Sequence, residues 1–98
     1  MTIQLLAMTS VNVGAESALN KYLSVVGPLM QSAGAKIIDR FELANSIVGS
    51  NEFQYVTLIE YPDEASVSKV FDSEEYGSLD EVKRIAFSKY QVSVIVSM

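Results

Sequence analysis

The sequence predicts an α+β fold: a four-stranded antiparallel sheet in βαββαβ order, with the helices packed on one face. Three observations lead there. Stretches of alternating or β-branched apolar residues are interleaved with stretches whose apolar residues recur at i, i+3, i+4 and i+7, the marks of strands and of one-sided helices. The two middle strand-like stretches are joined only by a turn-rich connection and form a hairpin, while each outer stretch is reached through a helix. Finally, 98 residues of which 49% are hydrophobic are enough for one core and too few for two, so residues 1–98 are read as a single domain.

Thr2 to Val11 is apolar, partly β-branched and only loosely alternating, as in a strand buried on both faces. From Ala15 the apolar positions Ala18, Leu19, Tyr22, Leu23, Val26, Leu29, Met30 and Ala33 share one helical face, and Gly34 stops the helix. Pro28 lies inside that pattern, where it cannot donate to the carbonyl of Ser24, so a kink is expected at Gly27-Pro28. Lys36 to Leu43 and Phe53 to Tyr61 are strands. Their connection holds Asn45, Gly49 and Asn51 and has room for extra pairing around Ile47-Val48. Asp63 is placed to cap a short helix with Ala65, Val67, Val70 and Phe71 on its buried side. Ser73 is placed to cap the next, with Glu74 and Glu75 at the positive end of its dipole and a stripe of Tyr76, Leu79, Val82 and Ala86. Asp80 and Arg84 stand at i, i+4 outside that stripe. Tyr90 to Met98 alternates, with Tyr90, Val92, Val94, Val96 and Met98 on one face.

Right-handed crossovers fold this order into the ferredoxin-like arrangement. One sheet face is then left bare, yet both carry large apolar residues: Ile37, Phe41, Leu43, Phe53, Tyr55, Ile59 and Tyr61 on one parity, Ile38, Val56 and Leu58 on the other. Packing two bare faces together gives a homodimer, a closed dimeric α/β barrel.

Composition removes many functions. A net charge of −5 and no basic run argue against nucleic acid and membrane surfaces as partners. No cysteine and no histidine means no thiolate, disulfide, imidazole base or Cys/His metal site. Eight of the twelve acids lie between Glu60 and Glu81, but without calcium-loop spacing they read as a solvated face, so no metal is expected. The glycines form neither G-x-G-x-x-G nor a phosphate-binding loop, and no cofactor is expected. The N-terminus lacks a basic region followed by a long apolar segment, and a cytoplasmic protein is expected.

Several motifs taken in order resemble a family. Gly27-Pro28 with Tyr22 upstream, Arg40 on the second strand, Gly49 before the third, Ile59-Glu60-Tyr61-Pro62 ending it, and Ser73-Glu74-Glu75-Tyr76 opening a helix match its pattern over nearly the whole chain. The chain resembles an uncharacterised domain-of-unknown-function family of the dimeric α/β-barrel superfamily, relatives of antibiotic-biosynthesis monooxygenases. The family's basic residue past the tyrosine falls at Lys83 or Arg84, while Val48 and Glu74 depart from its usual Glu and Pro. The resemblance implies fold and dimerisation rather than an activity. Haem-degrading relatives depend on a histidine and a tryptophan, and this sequence has neither.

The candidate ligand-binding residues are Tyr22, Arg40, Glu60, Tyr76, Lys83 and Arg84. Arg40 and Glu60 stand on neighbouring strands at parities that bring them together, where an Arg fork could orient a carboxylate or carbonyl ligand or simply form a structural ion pair. Tyr22 and Tyr76 face inward and could aim hydroxyls into a cavity or serve as core residues. Two functions follow: a protein that binds or transforms a small organic molecule without cofactor, or a non-catalytic homodimeric binding or interaction module. Whether it is an enzyme is left open. A hollow of roughly 300 Å³ or more with convergent polar groups favours the first.

Overall fold

A computed structural model describes residues 2–98 and runs β1 (Ile3–Val11), α1 (Glu16–Ser32), β2 (Lys36–Glu42), β3 (Tyr55–Tyr61), α2 (Glu64–Phe71), α3 (Glu74–Gly77), α4 (Asp80–Ala86) and β4 (Phe87–Ile95). The strands lie in the order β2-β3-β1-β4, every neighbouring pair antiparallel. This is the expected α+β architecture. Leu5, Ile59 and Tyr61 on the sheet meet Val26, Val70 and Ala86 on the helices and Leu79 at the entry to α4 in one apolar cluster.

The helix ends follow from local chemistry. Asp63 accepts from the Ser66 N–H at 2.8 Å, which satisfies an orphan donor of α2. Ser73 does the same for the Tyr76 N–H at 3.1 Å, and its own hydroxyl donates to the Val70 carbonyl at 2.7 Å. Gly34 closes α1 at φ 79°, a conformation that costs an L side chain energy, with Pro62 packed against it. α1 runs unbroken through Pro28. No helix is long and apolar enough to cross a membrane among the described residues.

Five local expectations are corrected. The helix opened by Ser73 divides into α3 and α4, and on α2 it is Ser66 rather than Ala65 that is buried. No pairing forms around Ile47-Val48; Ser46 instead donates to the carbonyls of Val48 and Gly49, and both apolar side chains point into solvent. The last strand begins at Phe87 and ends at Ile95, leaving Val96 and Met98 outside the sheet and exposed. Arg84 pairs with Glu81, and Asp80 lies 3.9 Å from Lys83, because the i, i+3 spacing brings these groups closer on this short helix than i, i+4 does.

The consequential correction is in β2. Ile37 pairs with Ile59 but Asp39 pairs with Leu58, so Ile38 is an inserted residue and every later side chain changes face. Ile37 and Phe41 therefore lie on opposite faces. The helix-facing set is Leu5, Ala7 and Thr9 on β1, Tyr55, Thr57, Ile59 and Tyr61 on β3, Arg40 and Glu42 on β2, and Tyr90, Val92 and Val94 on β4. The bare face carries Leu6, Met8, Val56 and Leu58 at its centre and Phe41 on its β2 edge.

Candidate functional site

The floor of the sheet beneath α1 is built from short side chains, Ala7, Thr9 and Thr57, and Gly27 offers none above them. These residues cannot fill the gap between the layers. A cavity of about 630 Å³ results, open to solvent along one side and walled by Tyr22, Val26 and Met30 of α1, by Ile59 and Tyr55 of β3 and by Phe87 and Tyr90 of β4. Its rim is β2, an edge strand with all seven residues exposed, which contributes Ile37, Arg40, Phe41 and Glu42. The size falls in the range of small-molecule sites.

Tyr22, Tyr90 and Tyr76 form a continuous chain of hydroxyls. Tyr22 Oη lies 2.7 Å from Tyr90 Oη, which lies 2.6 Å from Tyr76 Oη, and Lys83 Nζ donates to Tyr76 Oη at 3.2 Å. The ammonium also sits over the ring faces of Tyr76 and Tyr90, 4.3 and 5.0 Å from their centroids, a cation–π arrangement that holds it in place. Tyr22 packs edge-on against Phe87 and Tyr90, with ring centroids 5.0 and 5.9 Å apart. Burial pushes the Tyr22 hydroxyl up to about 12, and burial likewise raises Tyr76 and Tyr90 well above the usual phenol range. The three therefore stay neutral at physiological pH and act as hydrogen-bond donors and acceptors rather than as bases.

The predicted site residues divide. Tyr22 and Arg40 line the cavity. Tyr76 and Lys83 lie behind it, joined to it through Tyr90. Glu60 does not meet Arg40: the inserted Ile38 turns Arg40 to the helix side beside Thr57, whereas Glu60 pairs with Lys36 and Gln4 on the bare side. Among the described residues the Arg40 side chain makes no hydrogen bond or ion pair; only its backbone N–H is engaged, by Asp39 at 2.8 Å. Arg84 is held in an exposed pair with Glu81 and takes no part. Tyr90 is the residue that sequence reasoning missed as a site member, although its alternation with Val92 and Val94 places it on the helix-facing side. Among the described residues no acidic cluster could hold a metal ion.

The sequence profile of DUF1330, a domain of unknown function, matches residues 4–98. The chain belongs to that family. No curated protein matches it. Among solved structures it is similar to the RPA0582 protein of unknown function from Rhodopseudomonas palustris, with TM-score 0.82 and 15% identity over 99% of this chain and 82% of that one. It is also similar to a DABB family protein with a ferredoxin-like fold from Mesorhizobium loti, at TM-score 0.64 and 10% identity, covering 99% of this chain and 97% of that one. A dimeric protein of unknown function with a ferredoxin-like fold from Bacteroides fragilis matches at TM-score 0.60 and 8% identity, over 96% and 94% of the two chains. At these identities the likeness establishes the ferredoxin-like fold of this DUF1330 domain and nothing about its chemistry.

Proposed function

We propose that this DUF1330 domain binds a small, largely apolar organic molecule bearing a carboxylate or carbonyl oxygen, without a cofactor, in the cavity between α1 and the sheet. The observation that carries the reading is Arg40: a guanidinium with five donors stands at the rim of a cavity of about 630 Å³ with no partner among the described residues. Apolar walls from Val26, Met30 and Ile59 take the body of the ligand, and Tyr22 and Arg40 take its oxygens. Hydroxyls held neutral favour binding over proton abstraction. The bare apolar face of Leu6, Met8, Val56 and Leu58 supports a homodimer with sheets packed face to face, of at least about 1,600 Å². A cytoplasmic setting, which a chain without cysteine permits, belongs to the same reading.

The test is a thermal-shift and calorimetric screen of aromatic and aliphatic carboxylates against the matching alcohols. Carboxylates should stabilise the protein where the alcohols do not. Arg40→Ala should weaken the best of them by roughly 10-fold or more, the scale of a hydrogen bond to a charged group, without altering the melting temperature of the free protein. Arg40→Lys keeps the charge and loses the planar fork, so it should fall short of the wild type as well. Equal affinity in all three proteins rules the reading out.

A further inference from the structure

The hydroxyl chain has a direction, and that direction decides what the cavity can accept at Tyr22. An ammonium has only protons to give, so Lys83 must donate to Tyr76 Oη. Tyr76 must then dispose of its own proton, and among the described residues the one acceptor within reach is Tyr90 Oη at 2.6 Å. Tyr90 Oη, having accepted from Tyr76, passes its proton to Tyr22 Oη at 2.7 Å. The Tyr22 proton is left without an acceptor among the described residues, at the end of the chain and on a side chain that, like Tyr90, lines the cavity beneath α1. Running the chain backwards would strand the Tyr76 proton against the ammonium. Letting Tyr90 accept from both neighbours would strand its own. Only the forward order has Tyr76 and Tyr90 each accept one bond and donate one, so that the bonds run in one direction from the ammonium, strengthen one another, and leave the spare proton on Tyr22 at the cavity.

We infer that Lys83 is a positioning residue which, through Tyr76 and Tyr90, commits Tyr22 to donate into the cavity, so that the site takes a ligand oxygen that accepts, such as a carboxylate or carbonyl, at that position. This rests on the proposed binding role of the cavity for its consequence, but the direction of the chain can be measured without any ligand. Asp80, itself exposed, lies 3.9 Å from the ammonium on the solvent side.

The experiment uses the full chain carrying tyrosine labelled with carbon-13 at Cζ, whose resonance reports whether the attached oxygen donates or accepts. Tyr22→Phe identifies the Tyr22 signal. In Lys83→Met, which keeps the aliphatic stem and removes the donor, and in Tyr76→Phe, which breaks the chain and keeps the charge, the Tyr22 signal should move as its proton turns back to Tyr90. In Lys83→Arg, which still can only donate, it should stay near the wild-type position. An unchanged Tyr22 signal in Lys83→Met or Tyr76→Phe overturns the inference. In parallel, benzoate is titrated into the same proteins: an affinity loss of several-fold in Lys83→Met and Tyr76→Phe, neither of which touches the cavity, is the expected consequence. If benzoate fails to bind the wild type while the Tyr22 signal moves as stated, the carboxylate reading of the cavity fails and the direction of the chain stands.

Discussion

The buried hydroxyls make the domain's stability depend on alkaline pH in a way that can be worked out for Tyr22. In the unfolded chain its phenol ionises near the ordinary value of 10, and in the folded domain burial delays this to about 12. Between these values the unfolded state binds fewer protons than the folded one, so stability falls as pH rises through the window and is fully present below it. The slope is about 1.4 kcal/mol per pH unit, so Tyr22 alone removes roughly 3 kcal/mol across it, a large share of the 5 to 15 kcal/mol typical of a domain. Tyr76 and Tyr90, also raised by burial, push the same way. Urea titrations at several pH values between neutral and 12 should show this decline, with tyrosinate at Tyr22, Tyr76 and Tyr90 forming only as the protein unfolds. Tyr22→Phe should begin about 1 kcal/mol less stable at neutral pH, having lost the bond to Tyr90, and should then decline by roughly 3 kcal/mol less. A variant with the wild-type slope, or tyrosinate forming at those positions before unfolding, would refute the reasoning.

Gly34→Ala should destabilise by about 1 to 2 kcal/mol, roughly 5 to 10 °C in Tm, because φ is 79° and the new Cβ would sit 3.1 Å from Pro62 Cγ; Gly14→Ala, at φ 76° with open space around it, should cost less in the same melting experiment. Ser73→Ala should cost about 1 kcal/mol in urea unfolding, since it removes the cap on the Tyr76 N–H. If the ligand is anionic, Glu42→Gln should tighten it by a few-fold in calorimetry, because that carboxylate shares the rim with Arg40. Sedimentation at micromolar concentration should show a dimer, and Leu6→Lys, which puts a charge on the bare face, should give a folded monomer.

The order of the elements, the caps at Asp63 and Ser73 and the stop at Gly34 were legible in the chain, because each rests on residues within a few positions of one another. So was the inward face of Tyr22 and Tyr76, which follows from helical spacing alone. The partner of Arg40 was not. Unshifted pairing from Ile37 and Ile59 sets Arg40 on the face of Glu60, and a single inserted residue, Ile38, moves it to the other. Nothing in the composition of Lys36 to Glu42 marks that insertion, which is decided by how the edge strand pairs with β3. The start of β4 was hidden for the same reason: Phe87 joins the sheet by pairing with Val11 after a shift at Ser10, not through its own alternation. Tyr90 becomes the middle link of the hydroxyl chain only because β4 lies beside β1 under α1, which sets Tyr22, Tyr90 and Tyr76 within hydrogen-bond reach across 68 and 14 residues of sequence. Local spacing determines which elements form and which way they face. Pairing register and layer packing, both products of contacts distant in sequence, determine which side chains share a site.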